Sequence, residues 1–301
     1  MSTALLDEYH ALLTDAAATS SENPTSVTIL DASEIGPSDT LVVVDMQHDF
    51  LPGGSFGVAE GDVVIDGICD LILKFHEAGA TVIATKDFHP TDHCSFAPNG
   101  GPFPPHCIMG SRGSLIHPKV ANTLTPLLAK GEASEEESKT HVVHKGFYKG
   151  VESFGGFPYS TKNDDWKERL SYLSEDAVKW TGAFKLKVSS IASDANAPPD
   201  VMSILEPKRP MASLLPENGR VFCCGLALDY CVIDTAANYC QTVSSERSTT
   251  QTKKNCFIIQ NMTRAAMVPG LGTFGSGFLT DPKVMVDKLV SNNIGLVRFG
   301  E

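Results

Sequence analysis

Several residues that commonly bind metals follow closely after one predicted strand. Asp87 and His89 are separated by one residue and come directly after an apolar run at 80–85, and His93 and His106 follow on the loops beyond. Imidazole and carboxylate groups are ligands of borderline divalent metals such as Zn²⁺, and three protein ligands leave a position open for water or substrate. An Asp-x-His pair alone is weak evidence, because polar residues after a strand are often turn formers. The clustered histidines nevertheless favour a catalytic metal site, and hence an enzyme.

Cys231 is the cysteine best placed to act as a nucleophile. It lies in the first turn of a predicted helix at 229–242, shortly after an apolar strand at 220–224. Free backbone N–H groups and the positive end of the helix dipole favour a thiolate at such a position, and the same N–H groups could bind an oxyanion. Most buried cysteines are inert, so position alone also allows a purely structural role.

A cysteine nucleophile needs a base and a partner that stabilises charge. Asp45 ends the first predicted strand and Lys145 follows the third. Each residue alone is common as a turn former or a solvated lysine, but together with Cys231 they form a set of three at the carboxyl ends of strands. Ligands of parallel α/β sheets bind at that edge. We therefore expect the three side chains to meet in one crevice with Asp87.

Six apolar runs predict strands, and segments with helical spacing separate most of them. The predicted strands are 40–45, 80–85, 141–144, 220–224, 255–259 and 294–299, and the predicted helices are 62–79, 119–129, 229–242 and 280–291. Continuous rather than alternating hydrophobicity is typical of strands buried on both faces. Alternating strands and helices imply right-handed βαβ units. We therefore predict an α/β fold with a doubly wound, mostly parallel six-stranded sheet and helices on both faces, in three α/β/α layers.

Two segments fall outside this repeat. Residues 1–38 are predicted to be an N-terminal extension with one short amphipathic helix at 1–14 and an irregular lead-in. The main domain is predicted at 39–301, with an insertion at about 158–219 that carries a helix near 164–174 and lies over or beside the site. The charged residues at 132–139 predict a solvated turn.

The bulk composition disfavours several classes of partner and location. The 301 residues are 42% hydrophobic and 20% charged, with a formal net charge of −12. Nucleic acids and anionic membranes select clustered Lys and Arg, so neither is expected as a partner. No apolar run reaches transmembrane length, and the acidic, Arg-free N-terminal segment resembles neither a signal peptide nor a transit peptide. The eight cysteines form no pairwise framework, which favours a reducing, cytoplasmic setting.

Five motifs resemble, in order, those of nicotinamidases, which are isochorismatase-like cysteine hydrolases. They are Val44–Phe50, Lys86–Pro90, Pro104–Cys107, His144–Gly146 and Gly225–Val232. The resemblance covers about residues 38–157 and 219–300. The Asp-x-His element followed by a Pro-x-His element narrows it to nicotinamidase, since related amidohydrolases generally lack the metal site. The resemblance implies that the main domain is an isochorismatase-like hydrolase domain.

The resemblance implies a catalytic triad of Cys231, Asp45 and Lys145. Asp45 would take the thiol proton, and the thiolate would attack the carboxamide carbon of nicotinamide. Backbone N–H groups of Ala227 and Cys231 would hold the oxyanion, and a cis peptide is implied between Leu226 and Ala227. Ammonia leaves, and water hydrolyses the thioester to nicotinic acid, a deamidation step in NAD salvage.

The resemblance also implies one divalent metal, expected to be Zn²⁺, on Asp87, His89 and His106. This metal would anchor the pyridine nitrogen, orient the ring and supply water of lowered pKa. His93 stands where members vary between a fourth ligand and a group that supports the ligands, and both roles stay open.

Two aromatic residues correspond to the pair that flanks the pyridine ring in the family. They are Phe50 and Phe103, and Phe103 stands where many members have Trp, so the stacking surface is smaller. Leu226 and Ala227 are also expected to contact the substrate. The insertion at 158–219 departs from compact bacterial members and leaves lid shape and oligomer contacts open.

Three alternatives stay open. The chain could hydrolyse another small amide, for example a pyrazinamide-like or carbamoyl compound, although a pyridine-binding metal beside aromatic rings disfavours carbamoyl substrates. It could be a silent relative that binds a ligand, although the triad positions are intact. It could be a metallohydrolase in which zinc hydroxide attacks directly and Cys231 is dispensable. Metal identity and a homo-oligomeric state also stay open.

Overall fold

A computed structural model describes residues 9–11, 13–14, 27–132, 138–162, 166–186, 209–244, 254–267 and 277–300. The strands in these ranges are β1 (Thr28–Leu30), β2 (Thr40–Val44), β3 (Thr81–Asp87), β4 (Thr140–Lys145), β5 (Phe184–Lys185), β6 (Arg209–Pro210), β7 (Val221–Leu226), β8 (Cys256–Arg264) and β9 (Gly295–Phe299). The α-helices are α1 (Ile65–Glu77), α2 (Pro118–Glu132), α3 (Lys167–Leu170), α4 (Glu175–Val178), α5 (Ile233–Asn238) and α6 (Pro282–Ser291), and residues 9–11 and 13–14 are also α-helical.

The strands form one sheet in the order β1-β9-β8-β7-β2-β3-β4-β5-β6. The six predicted strands are its contiguous centre, from β9 to β4, and every pairing among them is parallel. The predicted strand number is wrong, because the described part of the chain adds β1 in parallel at one edge and β5 and β6 in antiparallel pairings at the other. These added strands are two or three residues long, which is too short for a hydrophobic period to be seen.

The alternation of side chains along β2 shows how the layers form. Leu41 and Val43 lie in a core that contains buried residues of α1 and α2, whereas Val42 and Val44 lie in a second core with residues of α5 and α6. Since successive side chains of a strand point to opposite faces, a strand that is apolar throughout needs cover on both sides. The helices provide it, which confirms the predicted three-layer α/β/α fold.

The predicted helices are present with small shifts at their ends. α1, α2 and α6 correspond to the predictions at 62–79, 119–129 and 280–291. The predicted helix at 229–242 consists of α5 with a π-helical turn on each side, Leu228–Val232 and Tyr239–Ser244. In place of a single helix near 164–174, the described residues contain the two short helices α3 and α4.

The described part of the N-terminal segment packs on the main sheet domain. Tyr9 and Leu13 are fully buried in the core, and the Tyr9 ring lies 4.6 Å from that of Phe278. The lead-in is less irregular than expected, since Thr28–Leu30 pairs with β9 and a 3-10 turn follows at Ala32–Glu34. The domain boundary at 38/39 and the insertion limits stay predictions, and residues 133–137, 163–165 and 187–208 lie outside the described ranges.

No helix among the described residues has the length and hydrophobicity needed to cross a membrane.

An ion pair joins the starts of two central strands. Arg220, before β7, donates from Nε to Asp39 Oδ1 at 3.1 Å and from Nη2 to Oδ2 at 2.7 Å. Burial raises the pKa of Asp39, but the bonds from Arg220 and Gly36 outweigh it, so the pKa lies below its ordinary value of 3.8. Asp39 is buried before β2, so this pair fixes the register of neighbouring strands.

We expect Asp39→Asn to lower the free energy of unfolding by about 2 kcal/mol near neutral pH, because a charge-assisted bond is lost. Since the folded-state pKa is depressed, this stabilisation is present above the unfolded value and is lost as pH falls through the folded value. The difference between the two proteins should therefore shrink below about pH 4, as measured by urea unfolding across pH. As a control, Asp66→Asn breaks an exposed pair with Lys119 and should lower the stability far less than Asp39→Asn does.

Candidate functional site

The candidate site lies at the carboxyl ends of four adjacent strands. Asp45 follows β2, Asp87 ends β3, Lys145 ends β4, and the turn with Cys231 follows β7. The register pairs Asp87 with Lys145 directly. The Gln47 side chain locks this edge, since its Nε2 donates to the Asp87 carbonyl at 2.8 Å and its Oε1 accepts from the Asp87 N–H at 2.7 Å.

The three residues predicted as a triad meet in a buried cluster. Lys145 Nζ lies 2.9 Å from Asp45 Oδ2, 2.5 Å from Asp87 Oδ1 and 3.7 Å from Cys231 Sγ. Asp45 and Lys145 are fully buried, and Cys231 is 5% exposed. Thr85 Oγ1 donates to Asp45 Oδ1 at 2.6 Å, which fixes the carboxylate. The Lys145 ammonium therefore contacts two carboxylates and the Cys231 thiol.

Burial and charge set the protonation of this cluster. Burial raises the pKa of Asp45 to about 6, with Lys145 opposing and Asp87 reinforcing the shift. Burial also raises the pKa of the Cys231 thiol, against the lowering effect of Lys145. For Lys145, burial lowers the pKa but the two carboxylates outweigh it, so the ammonium stays charged. Asp45 is thus suited to receive and return a proton near neutral pH.

The turn that carries Cys231 is π-helical rather than the first turn of a regular α-helix. The N–H groups of Tyr230 and Val232 both donate to the Ala227 carbonyl at 3.1 Å. The Leu226–Ala227 peptide is cis, as predicted. Gly225, with φ +106°, packs so closely on β2 that a Cβ would lie 2.1 Å from the Val44 carbonyl oxygen. A side chain at that position would push the turn away from Asp45.

The predicted metal ligands also come together. Ligand atoms of Asp87, His89 and His106 all lie within 4.8 Å of one another, and the three residues are buried. Two backbone hydrogen bonds hold the His106 loop against the end of β3. The His89 N–H donates to the Cys107 carbonyl, and the Met109 N–H donates to the His89 carbonyl.

The hydrogen bonds of the two histidines leave one nitrogen of each for a metal. His89 Nδ1 lies 2.8 Å from the Gly146 carbonyl and His106 Nδ1 lies 2.8 Å from the Pro104 carbonyl. Imidazoles that bind metals commonly donate their other N–H to such an oxygen. His89 Nε2, 3.6 Å from Asp87 Oδ2, is buried without a hydrogen-bond partner among the described residues. The donor set therefore fits a divalent metal ion.

His93 lies beside this group but is engaged elsewhere. Its Nδ1 lies 2.7 Å from Ser95 Oγ and its Nε2 lies 3.0 Å from the Val151 carbonyl. Its ring stacks on that of His89, with the centroids 4.2 Å apart. With both nitrogens bonded to protein, the geometry favours a supporting role over direct ligation.

Glu152 is a buried acid that lies beside His89 and His93. It was not predicted from the sequence. Its ligand oxygen lies within 4.8 Å of ligand atoms of His89 and His93, and its Oε1 accepts from the Ser153 N–H at 2.7 Å. Burial raises the pKa of Glu152, but the two histidines outweigh it and hold the pKa below its usual value. The available signal was one acid in a stretch of small and apolar residues, Val151 to Gly156.

A pocket opens onto both groups. Aromatic rings form most of its wall, and polar or reactive groups line the rest; these residues are Phe50, Phe56, Phe103, Phe154, Tyr230, Asp87, His106, Glu152, Ala227 and Cys231. The predicted contacts Phe50, Phe103 and Ala227 are therefore at the pocket. Leu226 is not: its side chain is fully buried in the core on the α1 side, because strand alternation turns it away.

Part of the chain is similar to known proteins. Residues 39–130 match the isochorismatase domain family. The nicotinamidase of Escherichia coli strain K12 is 31% identical over 150 residues, which are 43% of this chain and 64% of that protein. Over residues 39–130 the chain is similar to the isochorismatase domain family. It covers slightly less than two thirds of the length of that E. coli relative.

Two solved structures share the fold of this chain. The pyrazinamidase of Pyrococcus horikoshii in complex with zinc aligns with 87% of this chain and all of its own, with a TM-score of 0.53 and 23% identity. PnC1 from L. infantum in complex with nicotinate aligns with 91% of this chain and all of its own, with a TM-score of 0.51 and 21% identity. At these identities the likeness establishes the fold.

Three further pocket residues were not predicted. Phe56 and Phe154 come from glycine-containing loops, and Tyr230 directly precedes the predicted nucleophile. Phe103 contacts both phenylalanines edge-on, with centroids 5.6 Å and 5.8 Å away. Isolated aromatic residues in loops with no hydrophobic period were the available signal.

Proposed function

We propose that the protein is an amidohydrolase that converts nicotinamide to nicotinic acid and ammonia through a cysteine thioester. The observation that carries this proposal is the buried contact of Lys145 with both Asp45 and Cys231 beside an aromatic pocket. The similarity to the E. coli nicotinamidase supports the choice of substrate. Deamidation of nicotinamide would place the enzyme in NAD salvage.

The first half of the reaction uses the cluster as it stands. Asp45 takes the proton of the Cys231 thiol, and the Lys145 ammonium stabilises the thiolate. Sulfur attacks the carboxamide carbon, and the N–H groups of Ala227 and Cys231 stabilise the oxyanion. The carbon–nitrogen bond then breaks as Asp45 returns its proton to the leaving nitrogen, which departs as ammonia.

The second half regenerates the thiol. A water molecule gives a proton to Asp45 and its oxygen attacks the thioester carbon. The carbon–sulfur bond breaks, nicotinic acid leaves, and the proton on Asp45 returns to Cys231. An Asp45 pKa of about 6 suits both directions of transfer, since neither protonation state is strongly favoured near neutral pH.

Asp87, His89 and His106 would hold a divalent ion, proposed to be Zn²⁺, and the buried, unpartnered Nε2 of His89 is the observation that supports it. When bound, the ion would supply a Lewis acid for the pyridine nitrogen. The aromatic side chains Phe50, Phe56 and Phe103 surround His106 and offer flat apolar faces to a heteroaromatic ring.

The test is ammonia release by the purified, zinc-supplemented protein from three carboxamides. Nicotinamide is expected to be turned over, and pyrazinamide as well, because both have a ring nitrogen in the same position relative to the amide. Benzamide has the same shape without that nitrogen and should react far more slowly. No ammonia from nicotinamide would overturn the substrate assignment, and equal rates with benzamide would overturn the role given to the metal.

A further inference from the structure

An arginine far along the chain holds the turn that carries the proposed nucleophile. Arg169, in α3 of the segment between β4 and β7, donates from Nη1 to the Asp229 carbonyl at 2.8 Å. Its side chain is 18% exposed, so the bond is largely shielded from water. Asp229 lies two residues before Cys231 in the π-helical turn Leu228–Val232. The bond therefore holds the peptide unit between Asp229 and Tyr230, one residue before the proposed nucleophile.

The same guanidinium supports the wall of the pocket. Its carbon lies 5.1 Å from the centroid of the Tyr230 ring, within the range of a cation–π contact. Tyr230 lines the pocket and meets Phe154 edge-on, with the centroids 5.7 Å apart. Arg169 thus contacts the two residues that precede Cys231: it lies over the ring of Tyr230 and donates to the carbonyl of Asp229.

A buried aspartate keeps the arginine in place. Arg169 Nη1 lies 3.8 Å from Asp234 Oδ1, and Asp234 is fully buried in α5. Lys288 of α6 also pairs with Asp234, and Tyr159 donates its hydroxyl to Asp234 Oδ2 at 2.6 Å. In this cluster Lys288 and Tyr159 contact the Asp234 carboxylate. Arg169 also contacts the Asp229 carbonyl and the Tyr230 ring. The contribution of Arg169 can therefore be separated from that of the charge cluster.

We propose that Arg169 is a positioning residue, which holds the Ala227–Cys231 turn and the Tyr230 ring in the arrangement that the reaction needs. The choice of nicotinamide as the substrate in the test below rests on the proposed function. Misplacing a reacting group by about 1 Å can cost about 100-fold in rate. Without the Arg169 donor, the turn that carries the thiol and the oxyanion N–H groups is held at Asp229 by the bond from the Ala266 N–H to Asp229 Oδ1, so its main chain can shift more easily.

Lysine at this position separates positioning from charge. Arg169→Lys keeps a cation for Asp234, but a single ammonium lacks the planar fork that bonds a carbonyl while stacking on a ring. We expect this variant to keep a near-normal Tm and to lose about 10- to 100-fold in kcat. Lys288→Met is the matched control, because it removes a cation from Asp234 without touching Asp229 or Tyr230. It should lower Tm and leave kcat unchanged.

A second measurement does not depend on turnover. Hydrogen–deuterium exchange of the peptide that contains Ala227–Cys231 should speed up at least about 10-fold in Arg169→Lys and stay unchanged in Lys288→Met. If the unaltered protein releases no ammonia from nicotinamide, the proposed function fails, while the exchange comparison still tests Arg169. Normal exchange in Arg169→Lys would overturn the proposal. The proposal would also be overturned if Lys288→Met lost as much kcat as Arg169→Lys, since reduced stability would then explain the loss in both variants.

Discussion

Cys231→Ala is expected to lower turnover of nicotinamide by at least about 10⁴-fold, because it removes the proposed nucleophile and with it the covalent route. The Cys231 thiol is 3.7 Å from Lys145 Nζ and lines the pocket, so no groups other than Asp45 and Lys145 are needed to activate it. The substitution removes one buried atom and should leave the fold and the zinc content intact. Ammonia release, Tm and zinc content are to be measured on the same preparation.

The control is another buried cysteine of the same segment. Cys224 lies in β7 in the core on the α1 side, so Cys224→Ala should keep full turnover. Acid quenching of the unaltered protein during turnover should trap a nicotinoyl thioester on the peptide that contains Cys231, visible by mass spectrometry. Retained turnover in Cys231→Ala would instead favour direct attack by zinc hydroxide, the alternative in which this cysteine is dispensable.

Strong local patterns explain which parts of the fold were predictable. β2 is apolar through most of its length and β3 contains the apolar run Val82–Ala84, and such continuous runs are typical of strands that are buried on both faces. Once the sheet is parallel, residues at strand ends converge at one edge whatever lies between them. Asp45, Lys145 and Cys231 were therefore predictable as a group, although residues 45 and 231 are far apart along the chain.

The parts that were missed depend on tertiary packing. Glu152 lies in a loop without any period, so only its isolation among uncharged residues marked it. The Arg169 bond to the Asp229 carbonyl joins residues 60 apart, and nothing local in either segment specifies the partner. The π-helical form of the turn at Leu228–Val232 was also hidden, because the apolar spacing of that stretch resembles that of an α-helix.

Loss of a proposed metal ligand is the second change with a large expected effect. His106→Ala should remove bound zinc after gel filtration and lower turnover by at least about 100-fold, since the remaining Asp87 and His89 offer too few ligands. Its Nδ1 is bonded to the Pro104 carbonyl, which leaves Nε2 facing the cluster. Zinc content by elemental analysis tests this independently of activity. Chelator treatment of the unaltered protein should cause the same loss of zinc and turnover. Added Zn²⁺ should restore both in the chelated protein but not in His106→Ala.

His93→Asn distinguishes the two roles left open for that residue. Both ring nitrogens of His93 are bonded to protein, and its ring stacks on His89, so the substitution should weaken zinc binding by about 10- to 100-fold without abolishing it. At saturating zinc the variant should regain most of its turnover, whereas His106→Ala should not. A His93→Asn protein that lost zinc as completely as His106→Ala would make His93 a fourth ligand. Its bonds to Ser95 and Val151 would then have to open when the metal binds.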